Sequence, residues 1–139
     1  MHKLLYVSST KRNFPEAELR AILAKARAKN AALGITGLLL YMDGGFLQVL
    51  EGDRESVHSL YGIIARDSRH WDPKILFDED APRNFVSWSM GFKLLSERTD
   101  DYALVNATKA AIEGLIKPGA ARPVLEVLIR TFQLVQGAV

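Results

Sequence analysis

The segment from Gly34 to Gly52 constrains the fold of this 139-residue chain more than any other segment. Two apolar runs, 35–42 and 46–50, flank Asp43-Gly44-Gly45, a combination typical of a tight β-hairpin. Because nearly every residue of both runs is apolar, the hairpin is predicted to lie in a sheet covered on both faces. Gln48 breaks this pattern, since its carboxamide must find hydrogen-bond partners inside the sheet or lose free energy. Gln48 is therefore the first candidate for a functional residue.

The periodicity of the remaining chain predicts an α+β fold in the order βαββαββ, similar to the ferredoxin-like pattern with two helices on one face of the sheet. One amphipathic helix has Pro15 in its first turn and ends near Asn30, and a second is capped by Asp53. The apolar stripes of both helices are predicted to pack on the sheet. Strands beyond the hairpin are predicted at residues 3–9, 74–77 and 85–94.

Side-chain alternation in the predicted fifth strand places Val86, Trp88, Met90 and Phe92 on one face. Taken alone, Trp88 and Met90 are explained by ordinary core packing.

The chain changes character after Thr99, where two shorter helices are predicted. The first carries Leu104, Ala111 and Leu115 and ends at 117–119. These helices are too short to form a domain of their own, so we expect them to cover the free face of the sheet or to form a dimer surface. The second helix begins near Pro123, and its inward stripe comprises Val124, Leu125, Leu128, Phe132 and Val135.

Composition places the chain among soluble single-domain proteins, with 48% hydrophobic and 24% charged residues. A formal charge of +2 gives no indication of a nucleic-acid partner. We expect a cytoplasmic location without membrane contact, because the sequence shows neither a signal peptide nor an apolar run near the ~20 residues of a membrane span. The absence of cysteine excludes disulfides and thiolate metal sites.

Enzyme signatures are missing from the sequence, which contains no GxxxxGK[ST], GxGxxG or HExxH motif. The histidines His2, His58 and His70 are scattered, so no shared metal site is predicted. Asp67 and His70 are three residues apart and could form an acid–base pair. A solvated helix end explains them better on this evidence alone.

Polar residues at predicted sheet positions are more informative. Tyr6 and Gln48 are both central in strands, although a tyrosine often packs its ring in a core and a lone glutamine can be satisfied by backbone. Asn30 could likewise simply terminate its helix. Each residue taken alone is explained by ordinary structure.

Taken together, five segments stand in the order of the motifs of one family, over about residues 2–97. The segments are Tyr6-Val7-Ser8, Asn30 with 34–39, 46–52, 66–70 and Trp88-Ser89-Met90. In this combination they resemble the BLUF domain, a blue-light sensor that uses a flavin.

The resemblance implies a flavin-binding domain at residues 1–97. Residues 98–139 are similar to the helical extension of short BLUF proteins that lack an output domain. The flavin, usually FAD with FMN and riboflavin as alternatives, is expected to bind noncovalently between the two helices on one face of the sheet.

The resemblance also implies which residues hold the flavin. Ile22 and Ile64 match the apolar residues that flank the isoalloxazine ring. Asn30 matches the asparagine that hydrogen-bonds the pyrimidine edge. Further flavin contacts are implied for Gln48, Asp67, Arg69 and His70.

The photochemical roles follow from the same resemblance. Tyr6 matches the tyrosine that donates an electron and a proton to the excited flavin. Gln48 matches the glutamine that bridges this phenol to flavin N5 and C4=O, and its rotated or tautomerised amide causes a small red shift in absorption. Trp88 and Met90 match the pair that transmits the change, and either side chain could lie beside Gln48.

The resemblance implies a photoreceptor without catalytic turnover that signals to a downstream protein, and it leaves a homodimer or higher oligomer open. Two other classes stay as alternatives. One is a small ferredoxin-like hydrolase using Asp67 and His70. The other is a structural, oligomerising module in which backbone groups satisfy Gln48.

Overall fold

The computed structural model describes residues 1–42, 44–86, 89–95, 102–116 and 120–134. The elements follow one another as β1 (His2–Thr10), α1 (Glu16–Leu33), β2 (Thr36–Met42), β3 (Gly45–Gly52), α2 (Arg54–Ala65), β4 (His70–Asp80), β5 (Gly91–Leu94), α3 (Tyr102–Ile112) and α4 (Arg122–Leu134). This order confirms the predicted α+β class, with two further helices at the end.

The five strands form one mixed sheet in the order β4-β1-β3-β2-β5. Strands β1, β2, β3 and β4 pair antiparallel, whereas β5 pairs parallel with β2. The predicted hairpin is confirmed, since β2 and β3 are joined at Met42↔Gly45. Gly44 in its turn has φ +104°, a conformation that L side chains rarely adopt.

Both faces of the sheet are covered, as the apolar runs predict. Alternate residues of β1 serve the two sides: Leu4 and Tyr6 pack in the core under α1 and α2, and Leu5 and Val7 pack in the core under α3 and α4. Burying a leucine fully contributes roughly 1.5–3 kcal/mol, so the two cores together hold the central strands firmly.

Helices α1 and α2 begin as predicted, and α1 is longer than predicted. Asp53 caps α2, with its carboxylate accepting from the backbone N–H of Ser56 over 3.4 Å. Helix α1 continues beyond the predicted end at Asn30 to Leu33. It stops there because Gly34 adopts a left-handed conformation with φ +69°.

The predicted fifth strand, 85–94, is wrong at the described residues 85, 86, 89 and 90, because β5 comprises Gly91–Leu94. The backbone N–H groups of Asn84 and Phe85 donate to the carboxylate of Glu51 over 2.7 and 2.9 Å. A side chain thus takes the donors that a strand would offer to its neighbour. Val86 is 69% exposed whereas Met90 is fully buried, so these two residues do not share a buried face. Trp88 lies outside the described residues.

Strand β4 is longer than the predicted 74–77, because the prediction captured only its apolar centre. It pairs with β1 from His2↔Asp80 to Thr10↔His70 along the edge of the sheet. An edge strand faces water on one side, so polar residues such as Asp72 and Asp78 mask its periodicity.

Helices α3 and α4 lie on the face of the sheet opposite α1 and α2. Leu104 of α3 and Val124, Leu125 and Leu128 of α4 belong to the buried core on that side. Leu115 lies beyond the end of α3 and is 72% exposed, so the predicted helix extends too far at this position. The predicted helix break at 117–119 and Val135 fall outside the described residues. Within the described ranges, no helix is long and apolar enough to span a bilayer.

Candidate functional site: the cleft between α1 and α2

A cleft of about 560 Å³, its open mouth included, lies between α1 and α2 above the centre of the sheet. Strands β1, β2 and β3 form its floor, α1 forms one wall, and the end of α2 with the segment after it forms the other. Its lining comprises Tyr6, Leu39, Phe46 and Gln48 of the floor, Ile22 and Ala26 of α1, Ile64, Asp67, Arg69 and His70 of the opposite wall, and Phe14.

Tyr6 and Gln48 are a direct cross-strand pair in the floor. The phenol of Tyr6 donates to Oε1 of Gln48 over 2.5 Å, and both side chains are buried. Burial raises the pKa of Tyr6 well above its ordinary range, with smaller contributions from the nearby Tyr61 and Asp67. The phenol is therefore held protonated, with its proton directed at the glutamine oxygen.

The other end of the Gln48 amide faces sulfur. Nε2 donates to Sδ of Met90 over 3.4 Å, and Met90 is completely buried. A thioether is a weak acceptor, so the two ends of the amide have partners of very different strength. This contact places Met90 beside Gln48, which the sequence left undecided between Met90 and Trp88.

Helix α1 fixes the backbone around Met90 with two side chains one turn apart. Nε of Arg27 donates to the carbonyl of Met90 over 2.8 Å, and Nδ2 of Asn30 donates to the carbonyl of Ser89 over 3.1 Å. Residues three apart on a helix lie on one side of it, so both donors reach the same segment. The position of the Met90 sulfur thus depends on α1.

The wall opposite α1 is polar. Asp67 and Arg69 form a bidentate pair with contacts of 2.5 to 3.0 Å, and the hydrogen bond from Arg69 lowers the pKa of Asp67 to about 2. His70 bonds through Nε2 to the carbonyl of Ile64 over 2.6 Å. Asp67 and His70 are thus each engaged elsewhere, which argues against an acid–base pair between them. Nδ1 of His70 is buried with no hydrogen-bond partner among the described residues.

The structure brings together most of the residues singled out from the sequence. The cleft is lined by the predicted residues Tyr6, Ile22, Gln48, Ile64, Asp67, Arg69 and His70. Asn30 is buried on α1 and bonded to Ser89, and Met90 lies behind Gln48.

Four residues of the cleft lining were not predicted from the sequence. For three of them, the sequence position relative to a predicted site residue could have indicated a place in the lining. Leu39 pairs with Gln48 across β2 and β3, Phe46 is two residues before Gln48 on the same face, and Ala26 follows Ile22 by one helical turn. Phe14, in the segment before α1, had no such signal.

The prediction that the histidines are scattered is wrong for two of the three. His2 and His58 lie with ring centroids 5.0 Å apart, and both bond to the carboxylate of Asp78. His70 lies in the cleft instead.

A protein-family model described as "Sensors of blue-light using FAD" matches residues 1–91 of the chain. Among curated proteins, the photoactivated adenylate cyclase subunit beta of Euglena longa is 44% identical over 69 residues, which cover 50% of this chain and 8% of that protein. The blue light- and temperature-regulated antirepressor BluF of Escherichia coli is 32% identical over 100 residues, covering 70% of this chain and 25% of the antirepressor. The chain therefore spans less than a third of the length of these relatives.

Solved structures of similar length agree along nearly the whole chain. The BLUF protein BlrB in its dark state superposes with a TM-score of 0.76 at 28% identity, covering 94% of this chain and 96% of that one. BlsA in its ground state gives a TM-score of 0.73 at 29% identity, covering 92% and 87%.

These findings confirm the resemblance inferred from the five sequence segments. The family model covers well over half of the chain, so the protein belongs to the BLUF family of blue-light sensors that use a flavin.

Proposed function

We propose that this chain is a blue-light photoreceptor that binds FAD noncovalently in the cleft between α1 and α2 and signals to a partner protein without turning over a substrate. The contact series Tyr6–Gln48–Met90 in the cleft floor carries the proposal. It joins a buried phenol to an amide that can reverse its donor and acceptor ends. Ordinary core packing does not require such a series.

The residues of the cleft fit a flavin. Ile22 and Ala26 on one wall and Ile64 on the other supply apolar surfaces for a flat ring system. Polar groups converge at one side, where Nδ1 of His70 is buried with no partner among the described residues. A buried nitrogen without a partner costs free energy, so it is a suitable acceptor for an N–H group on the ring edge or its side chain.

Asp67, Arg69 and Asn30 complete the proposed flavin site. Asp67 and Arg69 line the same wall as His70. Asn30 follows Ile22 and Ala26 by steps of four residues, which places it on the same side of α1. We propose that Asn30 is a polar contact for the pyrimidine edge of the flavin. FMN, which is present in one structure of the similar Klebsiella pneumoniae protein BlrP1, is the alternative ligand.

The flavin supplies absorption of blue light and, once excited, an acceptor for one electron from Tyr6. Side chains of the protein provide the path for the proton of the Tyr6 phenol. Loss of an electron makes a phenol strongly acidic, so its proton leaves towards Oε1 of Gln48, 2.5 Å away, and the amide would release a proton from its nitrogen towards the flavin. Return of the electron and of a proton to Tyr6 would restore its phenol and leave only the amide of Gln48 changed. Rotation of the amide would exchange the ends that face Tyr6 and Met90, whereas tautomerisation would leave the ends in place and change their donor and acceptor roles.

We propose that the signal leaves the cleft through Met90 and Trp88. Reversal of the Gln48 amide replaces the N–H that faces the Met90 sulfur by an oxygen, which sulfur does not bind. The Met90 side chain therefore moves, and the segment that follows it is β5, at the edge of the sheet. We place the boundary of the flavin-binding domain near residue 97. The helices after it cover the other face of the sheet.

The experiment is a titration of the flavin-free protein with FAD, followed by quenching of flavin fluorescence. Ile64→Glu places a charge in the wall of the cleft and is expected to weaken binding at least tenfold. Ile63→Glu is the matched control, because Ile63 is the preceding residue of the same helix and is 48% exposed. Equal affinity in the two variants, or no FAD binding by the unmodified chain, would overturn the proposed site.

A further inference from the structure

A second polar cluster lies at the opposite end of the β1–β4 pair from the cleft. His2 of β1 pairs with Asp80 of β4 at this end, whereas Thr10 pairs with His70 at the cleft end. His58 of α2 contacts His2 at this end, and the planes of the two imidazole rings are nearly perpendicular, at 89°. The mechanism proposed for the cleft uses neither His2, His58 nor Asp80.

Asp78 stands at the centre of the cluster. Its Oδ1 contacts Nε2 of His2 and, over 2.8 Å, Nε2 of His58. One ligand atom from each of the three residues lies within 4.8 Å of the others. The side chain of His2 is 6% exposed, and those of Asp78 and His58 are 32% and 39% exposed. The cluster is thus anchored on one side and open to solvent on the other.

The hydrogen bond between His2 and Asp80 determines which nitrogen of the His2 ring faces Asp78. Nδ1 of His2 lies 3.0 Å from Oδ1 of Asp80. An ionised carboxylate only accepts, so Nδ1 carries the hydrogen and the lone pair of the neutral ring is on Nε2. That nitrogen faces the oxygen of Asp78, so the contact between them requires a positive charge, either a proton on Nε2 or a metal ion in its place. Metal-binding histidines are oriented by a carboxylate in this same way.

We propose that His2, His58 and Asp78 bind a divalent transition-metal ion, with Zn²⁺ as the expected ion. Two imidazole nitrogens and one carboxylate oxygen are a known ligand set for Zn²⁺ and leave a fourth position for water. The two negative charges of Asp78 and Asp80 balance the charge of the ion. Asp80 is a positioning residue that orients the His2 ring.

A metal ion here links α2 to the edge of the sheet. His58 lies six residues before Ile64, which forms part of the cleft wall. An ion that binds only the folded chain stabilises it by mass action, so Zn²⁺ is expected to raise the thermal midpoint of unfolding.

The test is calorimetric titration of the flavin-loaded 139-residue chain with ZnCl2 after chelator treatment, using protein without a histidine tag. We expect one Zn²⁺ per chain. His58→Ala and Asp78→Asn should each weaken binding at least tenfold, and Asp80→Asn by about 10–100-fold. Asp72→Asn is the matched control, since it removes an exposed carboxylate from the same strand without touching the cluster.

His58 is the decisive position because its side chain is partly exposed and its replacement leaves the core intact. Lack of saturable binding, or binding that survives both His58→Ala and Asp78→Asn, would overturn the proposal. Anomalous scattering at the zinc edge gives an independent answer, since it locates the ion either at these three side chains or elsewhere.

Discussion

The sulfur of Met90 lies 3.4 Å from Nε2 of Gln48. This contact joins the centre of β3 to the segment that leads into β5, so a change in the amide reaches the edge of the sheet directly. The hydroxyl of Tyr6 occupies the other end of the same amide. Gln48 thus stands between the proposed electron donor and the proposed exit of the signal.

Met90→Leu removes the sulfur while keeping a buried apolar side chain of similar volume. We expect stability to change by less than about 1.5 kcal/mol. Recovery in the dark should become about 2–10-fold slower, because the Gln48 amide loses the weak hydrogen bond that favours its return to the orientation seen in this structure. The decay of the light-induced absorbance change measures this rate. Met42→Leu, in the core on the opposite face of the sheet, is the control and should leave the rate unchanged.

Arg27→Gln tests whether α1 holds the backbone at Met90. The guanidinium donates to the Met90 carbonyl over 2.8 Å, and losing a charged donor to a partly buried acceptor should cost about 1.5–3 kcal/mol in the free energy of unfolding. The absorption maximum of bound flavin should also broaden as Met90 becomes less fixed. Arg20→Gln on the exposed side of the same helix is expected to change neither property.

Glu51→Gln tests the buried ion pair that shapes the segment before β5. Glu51 is fully buried, lies 3.2 Å from Nζ of Lys3 and accepts from two backbone N–H groups of residues 84 and 85. Breaking such a pair leaves an uncompensated lysine charge, so urea denaturation should show a loss of about 3–5 kcal/mol. A loss no greater than that of the exposed control Glu55→Gln would contradict this account.

Stability should fall at alkaline pH because Tyr6 is held un-ionised in the folded state. Its pKa is raised by burial, whereas in the unfolded chain it titrates near 10. Below about pH 10 both states bind the proton and stability is unaffected. Above it only the unfolded state loses the proton, so the free energy of unfolding decreases by about 1.4 kcal/mol per pH unit. In Tyr6→Phe this part of the slope should be absent, as followed by denaturation between pH 9 and about 11.

Features encoded locally were predictable from sequence. The hairpin follows from two apolar runs around a glycine turn, and Gln48 was conspicuous because it interrupts one of those runs. The predicted fifth strand failed at its start, where the backbone N–H of Phe85 is taken by Glu51, more than 30 residues earlier in the chain. A hydrogen bond to such a distant side chain does not alter the hydrophobic periodicity from which strands are predicted.

Sequence spacing also could not reveal the cluster of His2, His58 and Asp78. His2 and Asp78 are 76 residues apart and meet only because β1 and β4 pair along their whole length. Similarly, the contact of Met90 with Gln48 occurs where two hydrogen bonds from α1 hold the backbone of residues 89 and 90, which no alternation pattern encodes.

The most direct test of the central claim is the absorption difference spectrum of the purified, flavin-loaded protein before and after blue light. We expect a reversible red shift in the unmodified chain and its loss in both Tyr6→Phe and Gln48→Leu, each of which should still bind flavin. A normal, reversible shift in either variant would contradict the roles assigned to Tyr6 and Gln48.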